Sequence, residues 1–149
     1  MAKKRRAPAD RLDSFVLDAS ITVAWYFRDE ADPYADAVAR RVPTVKPIVP
    51  SVWPLEVANT MLVGERRKRD AVATILQWTA YLTGLPIAVD EQNFGRVFGD
   101  VLAIARTYDL SVYDASYVEL AIRSGLPLAT LDGRLRAAAA ALGVRIYQP

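Results

Sequence analysis

Four carboxylates stand where apolar runs give way to turns or helix starts: Asp18 after Phe15-Val16-Leu17, Glu56 within Pro54-Leu55-Glu56-Val57, Asp114 after Leu110-Ser111-Val112-Tyr113, and Asp132 after Leu128-Ala129-Thr130-Leu131. In an open parallel sheet, ligands bind outside the carboxyl ends of the strands. An acid that ends such a strand faces solvent-filled space, and Asp18 and Asp132 are placed to do so. Asp114 falls in the first turn of a helix, where backbone amides favour its ionised form. Glu56 shares a helix face with Asn59, three residues on. Singly, each acid has a plain structural use: Asp18 or Asp132 as a helix cap, Asp114 in a capping box, Glu56 on a surface. Gathered on one rim they would repel one another unless a cation sat between them. A hard divalent ion meets that need, and two such ions about 3.5–4 Å apart can hold the attacking water and leaving oxygen of a phosphodiester.

Composition narrows the chemistry further. The 149 residues contain no Cys and no His. Disulfides and thiolate metal sites are excluded, and so are the commonest general base and the usual zinc ligand. Hydrolysis must then rest on carboxylates, whose matching metals are Mg²⁺ or Mn²⁺. A hydrophobic content of 52% and a charged content of 24% are ordinary for one globular domain of this length. The formal net charge of +2 belongs to the start of the chain: without residues 1–11, which hold Lys3, Lys4, Arg5, Arg6 and Arg11 against Asp10, 14 basic and 16 acidic residues remain. Residues 1–13 read as a basic, flexible tail and residues 14–149 as the domain. The tail is a solvated end or an arm that contacts phosphates. It has no apolar h-region of a secretory signal, and no run is long enough to span a membrane, so a cytoplasmic location is expected.

The elements that must position the acids can be read in order. Ser14–Asp18 is a buried-strand candidate, with Ser20 as a cap for a helix over Ile21–Phe27. Asp32-Pro33 opens a helix to about Val42. Ile48-Val49 is extended, and Ser51 caps a helix carrying Glu56 and Asn59. The run Glu65-Arg66-Arg67-Lys68-Arg69 closes that helix, either as a solvated end complementing the helix dipole or as a contact to nucleic-acid phosphates. Asp70 caps a helix with Ala71, Ile75, Trp78 and Leu82 at core spacing. Leu85–Val89 is a strand, and Asp90 reads as the N-cap of an apolar-striped helix from Phe94 to Ala105. Ser111 and Asp114 fit a capping pattern before Tyr117, Val118, Leu120 and Ala121. Leu126–Thr130 is a further strand, Arg134–Leu142 a helix closed by Gly143, and Val144–Tyr147 a last strand. Helices and short strands alternate throughout, the pattern of an α/β fold with a parallel sheet covered on both faces.

The four strings Phe15-Val16-Leu17-Asp18-Ala19-Ser20, Pro54-Leu55-Glu56-Val57-Ala58-Asn59, Leu110-Ser111-Val112-Tyr113-Asp114-Ala115 and Leu128-Ala129-Thr130-Leu131-Asp132 resemble the acidic motifs of PIN-domain nucleases. The likeness is greatest to the VapC-type toxin ribonucleases of bacterial toxin–antitoxin pairs, and it extends over about residues 14–147. The resemblance implies a three-layer α/β/α sandwich with a central parallel sheet. It implies metal-binding roles for Asp18, Glu56, Asp114 and Asp132, with Ser20 and Thr130 as hydroxyl helpers and Asn59 orienting Glu56. It also implies a Mg²⁺- or Mn²⁺-dependent ribonuclease, a homodimer, and a cognate antitoxin that threads across the active-site groove. The basic tail departs from the family pattern, since these toxins commonly begin almost at the first strand.

Other arrangements of acids fit less well. A phosphorylated receiver domain needs a lysine beyond a late strand, and the only lysines here are Lys3, Lys4, Lys46 and Lys68. A haloacid-dehalogenase-like phosphatase needs a second Asp where this chain has Ser20. A non-catalytic PIN-like module that binds RNA or a protein gains nothing from four repelling carboxylates. A PIN-type nuclease acting on DNA lacks an obvious insertion to clamp its substrate. Single-stranded or loop RNA, with splayed nucleotides, suits a shallow rim. Trp25, Tyr26, Phe27, Trp53 and Trp78 offer apolar anchors for partners, although core packing is the ordinary duty of any one of them.

Overall fold

The computed structural model describes residues 13–149, so the expected basic tail lies outside the described residues except for Asp13. Strand β1 (Val16–Leu17) occupies the middle of a parallel sheet, between β2 (Ile48–Pro50) and β4 (Leu128–Ala129). Strand β3 (Ala88–Asp90) lies beyond β2, giving the order β3-β2-β1-β4. The side chains of β1 and β4 are wholly buried, as expected of strands covered on both faces. The chain moves from β1 toward β2 and β3, then returns to the other side of β1 for β4. The order therefore reverses at the β1/β4 boundary, where an α/β sheet opens a crevice at its carboxyl edge.

Helices fill both faces in an α/β/α arrangement: α1 (Ala19–Tyr26), α2 (Pro33–Val45), α3 (Trp53–Arg66), α4 (Val72–Gly84), α5 (Phe94–Arg96), α6 (Leu102–Tyr108), α7 (Val112–Ser124) and α8 (Gly133–Ala141). A π-helical stretch, Val97–Val101, joins α5 to α6, and a 3₁₀ turn, Arg28–Glu30, follows α1. Helices α2 and α3 pack on α1, while α7 lies over β1, β2 and β4 between α6 and α8. Gly64 lets α3 approach α1 closely. A Cβ there would stand 3.0 Å from the ring of Phe27, which is itself buried. That close approach helps hold α3, and with it Glu56, beside the end of β1.

Local chemistry sets several of the predicted boundaries. The Asp32 carboxylate accepts the amides of Tyr34 (2.8 Å) and Ala35 (3.1 Å), with Pro33 at the first helical position. Ser111 Oγ accepts the Asp114 amide at 3.0 Å. Gly143, at φ +73°, ends α8 by turning its amide back to the Ala140 carbonyl at 3.2 Å.

Other boundaries differ from the expectation. Helix α1 begins at Ala19, so Ser20 lies inside its first turn rather than capping it. Val52 and Ala71, not Ser51 and Asp70, precede α3 and α4. The N-cap of α5 is Asn93, whose side chain accepts the Arg96 amide at 2.9 Å. Asp90 is the last residue of β3 and pairs with Arg123 at 2.6 Å. The last strand shrinks to one bridge between Leu128 and Ile146. Trp78, Ile75 and Leu82 pack only partly against the core, and α4 buries no residue completely. Among the described residues no helix is long and apolar enough to cross a membrane.

Candidate active site

Where β1 and β4 end side by side, two hydroxyls tie their exits together. The Asp18 amide donates to the Ala129 carbonyl at 3.0 Å, so Asp18 and Thr130 leave the sheet as neighbours. Thr130 Oγ1 donates to Asp18 Oδ2 at 2.7 Å, and Ser20 Oγ donates to the same oxygen. Each hydroxyl also accepts a backbone amide: Leu131 to Ser20 Oγ and Asp132 to Thr130 Oγ1, both at 3.0 Å. Asp18 is thereby fixed although it is only 5% exposed.

The other acids arrive on helices. Asp132 begins α8, and its Oδ1 accepts the amides of Arg134 (2.8 Å) and Leu135 (3.0 Å). The capping reading of Asp132 therefore holds without removing it from the rim. Glu56 sits in the first turn of α3, half-buried, and its Oε2 accepts the hydroxyl of Tyr117 from α7. Asp114 stands in the first turn of α7, and its carboxylate has no hydrogen-bonding or ion-pair partner among the described residues. All four acids, with Ser20, line one cavity of about 450 Å³.

The electrostatics of that cavity are one-sided. Burial pushes the Asp18 carboxyl above the usual carboxylate range; the hydroxyls of Ser20 and Thr130 pull it back, and the charge of Asp114 pushes it up again. Glu56 is also raised, by burial first, against the hydrogen bond from Tyr117 and with the charges of Asp18 and Asp114. Among the described residues no lysine or arginine lines the cavity. Oxygen donors that repel one another, with no counter-ion at Asp18, Glu56 or Asp114 among the described residues, fit a hard divalent cation. Among the described residues no three acids form a ready-made cage. Mg²⁺ needs none, because it keeps several waters and takes only one or two carboxylates.

Three lining or contacting residues were not legible from the sequence. Glu30 reaches the cavity from the 3₁₀ turn, where Arg69 holds it at 3.4 Å and Asp29 at 2.8 Å. Thr60, one turn after Glu56, lines the cavity, and its hydroxyl donates to the Glu56 carbonyl at 2.9 Å. Tyr117 had the spacing of a core residue and no mark of a second duty. Asn59 is exposed and lies outside the lining; the side chain that contacts Glu56 is Tyr117. Helical spacing after an acid could have pointed to Thr60, but only tertiary structure reveals Glu30 and Tyr117. A second cavity, lined by Trp25, Asp36, Ala39, Trp78 and Tyr81, contains a single acid and shares no residue with the first.

A parallel sheet with acids at its switch point defines the class to which comparison with known proteins also leads. The PIN domain model matches residues 15–141, and the chain belongs to the PIN-domain family. Among individual proteins, it is 29% identical over 125 residues to Ribonuclease VapC3 of Pyrobaculum aerophilum, covering 80% of this chain and 90% of that protein. Its fold is similar to the crystal structure of PAE2754 from Pyrobaculum aerophilum, with a TM-score of 0.63, 22% identity and 84% of each chain covered.

Proposed function

We propose that this protein is a Mg²⁺- or Mn²⁺-dependent endoribonuclease, the toxin of a toxin–antitoxin pair. The observation that carries the reading is the shared cavity of Asp18, Glu56, Asp114 and Asp132, which no lysine or arginine lines among the described residues. Membership of the PIN-domain family and the ribonuclease name of a relative support it.

In this mechanism Asp18, Glu56, Asp114 and Asp132 would hold the cation, one or two of them directly and the others through the waters it keeps, Asp132 while its Oδ1 caps α8. A divalent ion bound there would lower the pKa of water and offset charge developing on the phosphoryl oxygens. Ser20 and Thr130 keep Asp18 in one rotamer, so the ligand geometry is set before substrate arrives. Single-stranded or loop RNA is the proposed substrate, since an open rim admits splayed nucleotides. The cytoplasm, a homodimer and a cognate antitoxin complete the proposal. Exposed Phe94 (82%) and Phe98 (71%) provide apolar surface for protein contacts.

The purified chain should cut RNA internally with Mg²⁺ or Mn²⁺ and stop when EDTA is added. Asp18→Asn and Asp114→Asn should each abolish cutting while leaving the circular dichroism spectrum unchanged. Undiminished cleavage by both variants, in a preparation free of contaminating nuclease, would sink the carboxylate mechanism.

A further inference from the structure

Three of the rim acids differ in what holds them. Asp18 has two hydroxyl donors, and Asp132 has two backbone amides. Glu56 has the longest side chain and the most torsions to restrain, and its carboxylate accepts a single hydrogen bond among the described residues, from the phenol of Tyr117. Tyr117 is fully buried, three residues past Asp114 on α7. A phenol beside a carboxylate meets it as the donor.

We propose that Tyr117 is a positioning residue for Glu56, its hydroxyl fixing Oε2 and leaving Oε1 to take the divalent cation. The inference rests on the metal-dependent reading above. It assigns to one α7 residue a task that neither its apolar surroundings nor its core spacing requires, because phenylalanine would fill the same space. A bare helix–helix tie between α3 and α7 would also use this hydrogen bond, but would leave cation affinity unaffected.

The test is Mn²⁺ titration calorimetry on the metal-free full chain, with melting temperatures measured in parallel. Tyr117→Phe should weaken Mn²⁺ binding about tenfold, the lower end of what loss of an outer partner to a ligand costs. Its metal-free melting temperature should fall no more than that of Tyr34→Phe, a control that loses the 2.9 Å bond from the Tyr34 hydroxyl to the Tyr147 carbonyl. Tyr34→Phe should keep wild-type Mn²⁺ affinity. In a Glu56→Ala background, Tyr117→Phe should weaken binding no further, since its effect passes through Glu56. If the phenylalanine variant does not fold, Tyr117→Met, also apolar, gives the same comparison. Wild-type affinity in the Tyr117 variant, or an equal loss in both backgrounds, overturns the positioning role alone. A wild-type protein that takes up no Mn²⁺ overturns this role together with the metal-dependent reading.

Discussion

Asp18 and Glu119 are both buried acids, 5% and 3% exposed, and the protein treats them in opposite ways. Glu119 on α7 has a protein counter-ion: Arg123 Nε donates to its Oε1 at 2.7 Å, and the same guanidinium reaches Asp90 at the end of β3 at 2.6 Å. Asp18 has two neutral hydroxyls and faces Asp114 and Glu56. A buried charge without a partner is costly; Glu119 has its counter-ion, and Asp18 has none among the described residues. Burial alone does not mark a functional acid. What separates these two acids is Arg123, which Glu119 has and for which Asp18 has no equivalent among the described residues.

The largest effect that can break this comparison comes from added metal. Mn²⁺ at a hundred times its dissociation constant should stabilise the wild type by about 2.7 kcal/mol. Asp114→Asn should raise the metal-free melting temperature by relieving repulsion and shrink the gain on adding Mn²⁺. Melting curves with and without Mn²⁺ decide it. A lower metal-free melting temperature with the full metal response retained would mean that the acids do not act together.

Next in size is Glu119→Gln, which removes a charge-assisted bond and leaves Arg123 to Asp90 alone. The expected loss is about 2 kcal/mol in urea unfolding, with Mn²⁺ affinity unchanged. A variant that also loses Mn²⁺ binding would erase the distinction between the two acids.

The sequence carried the acids further than it carried their supports. Asp18, Glu56, Asp114 and Asp132 were visible because each follows an apolar run or opens a helix, a local pattern. Ser20 and Thr130 stand out only through the family resemblance, and the structure gives both a bond to Asp18. Asp90 reads as a cap because Asp before a helix usually caps it, but Asn93 takes that place and Arg123, 33 residues away, holds the carboxylate. Tyr117 illustrates the same limit, since nothing local marks a bond spanning 61 residues. In α4, Val72, Leu76 and Tyr81 are exposed although Ile75, Trp78 and Leu82 turn toward the core. Apolar residues around much of that helix hid which side would be covered.

A smaller effect is a slope with pH. Asp18 and Glu56 bind protons more tightly folded than unfolded. As pH rises above the ordinary values of 3.8 and 4.5, the unfolded chain releases these protons first. Their contribution to stability therefore falls until the folded groups ionise too. In EDTA, the wild type should lose stability relative to Asp18→Asn as pH climbs from that range toward neutrality. Urea unfolding across the range measures the difference, and a difference that stays flat or runs the other way would remove Asp18 from the repelling set.

The smallest expected change is Asp90→Asn. Its carboxylate is 18% exposed and shares Arg123 with Glu119, while Arg96 stands 4.0 Å off. Neutralising it loses one charged partner, but Asn can still accept from the guanidinium, and Glu119 continues to hold Arg123. A loss of about 0.5–1 kcal/mol follows, within the range of a partly exposed ion pair. Asp90 ends its strand on the same edge of the sheet as Asp18, in line with Pro50 of β2, yet it is absent from the cavity lining. Mn²⁺ affinity and RNA cleavage should therefore remain at wild-type levels. This variant isolates the effect of a cationic neighbour, since Asp90 and Asp18 share a residue type and a sheet edge. If Asp90→Asn weakens Mn²⁺ binding as Asp114→Asn does, a protein counter-ion does not exclude an acid from the site, and the criterion separating Asp18 from Glu119 fails.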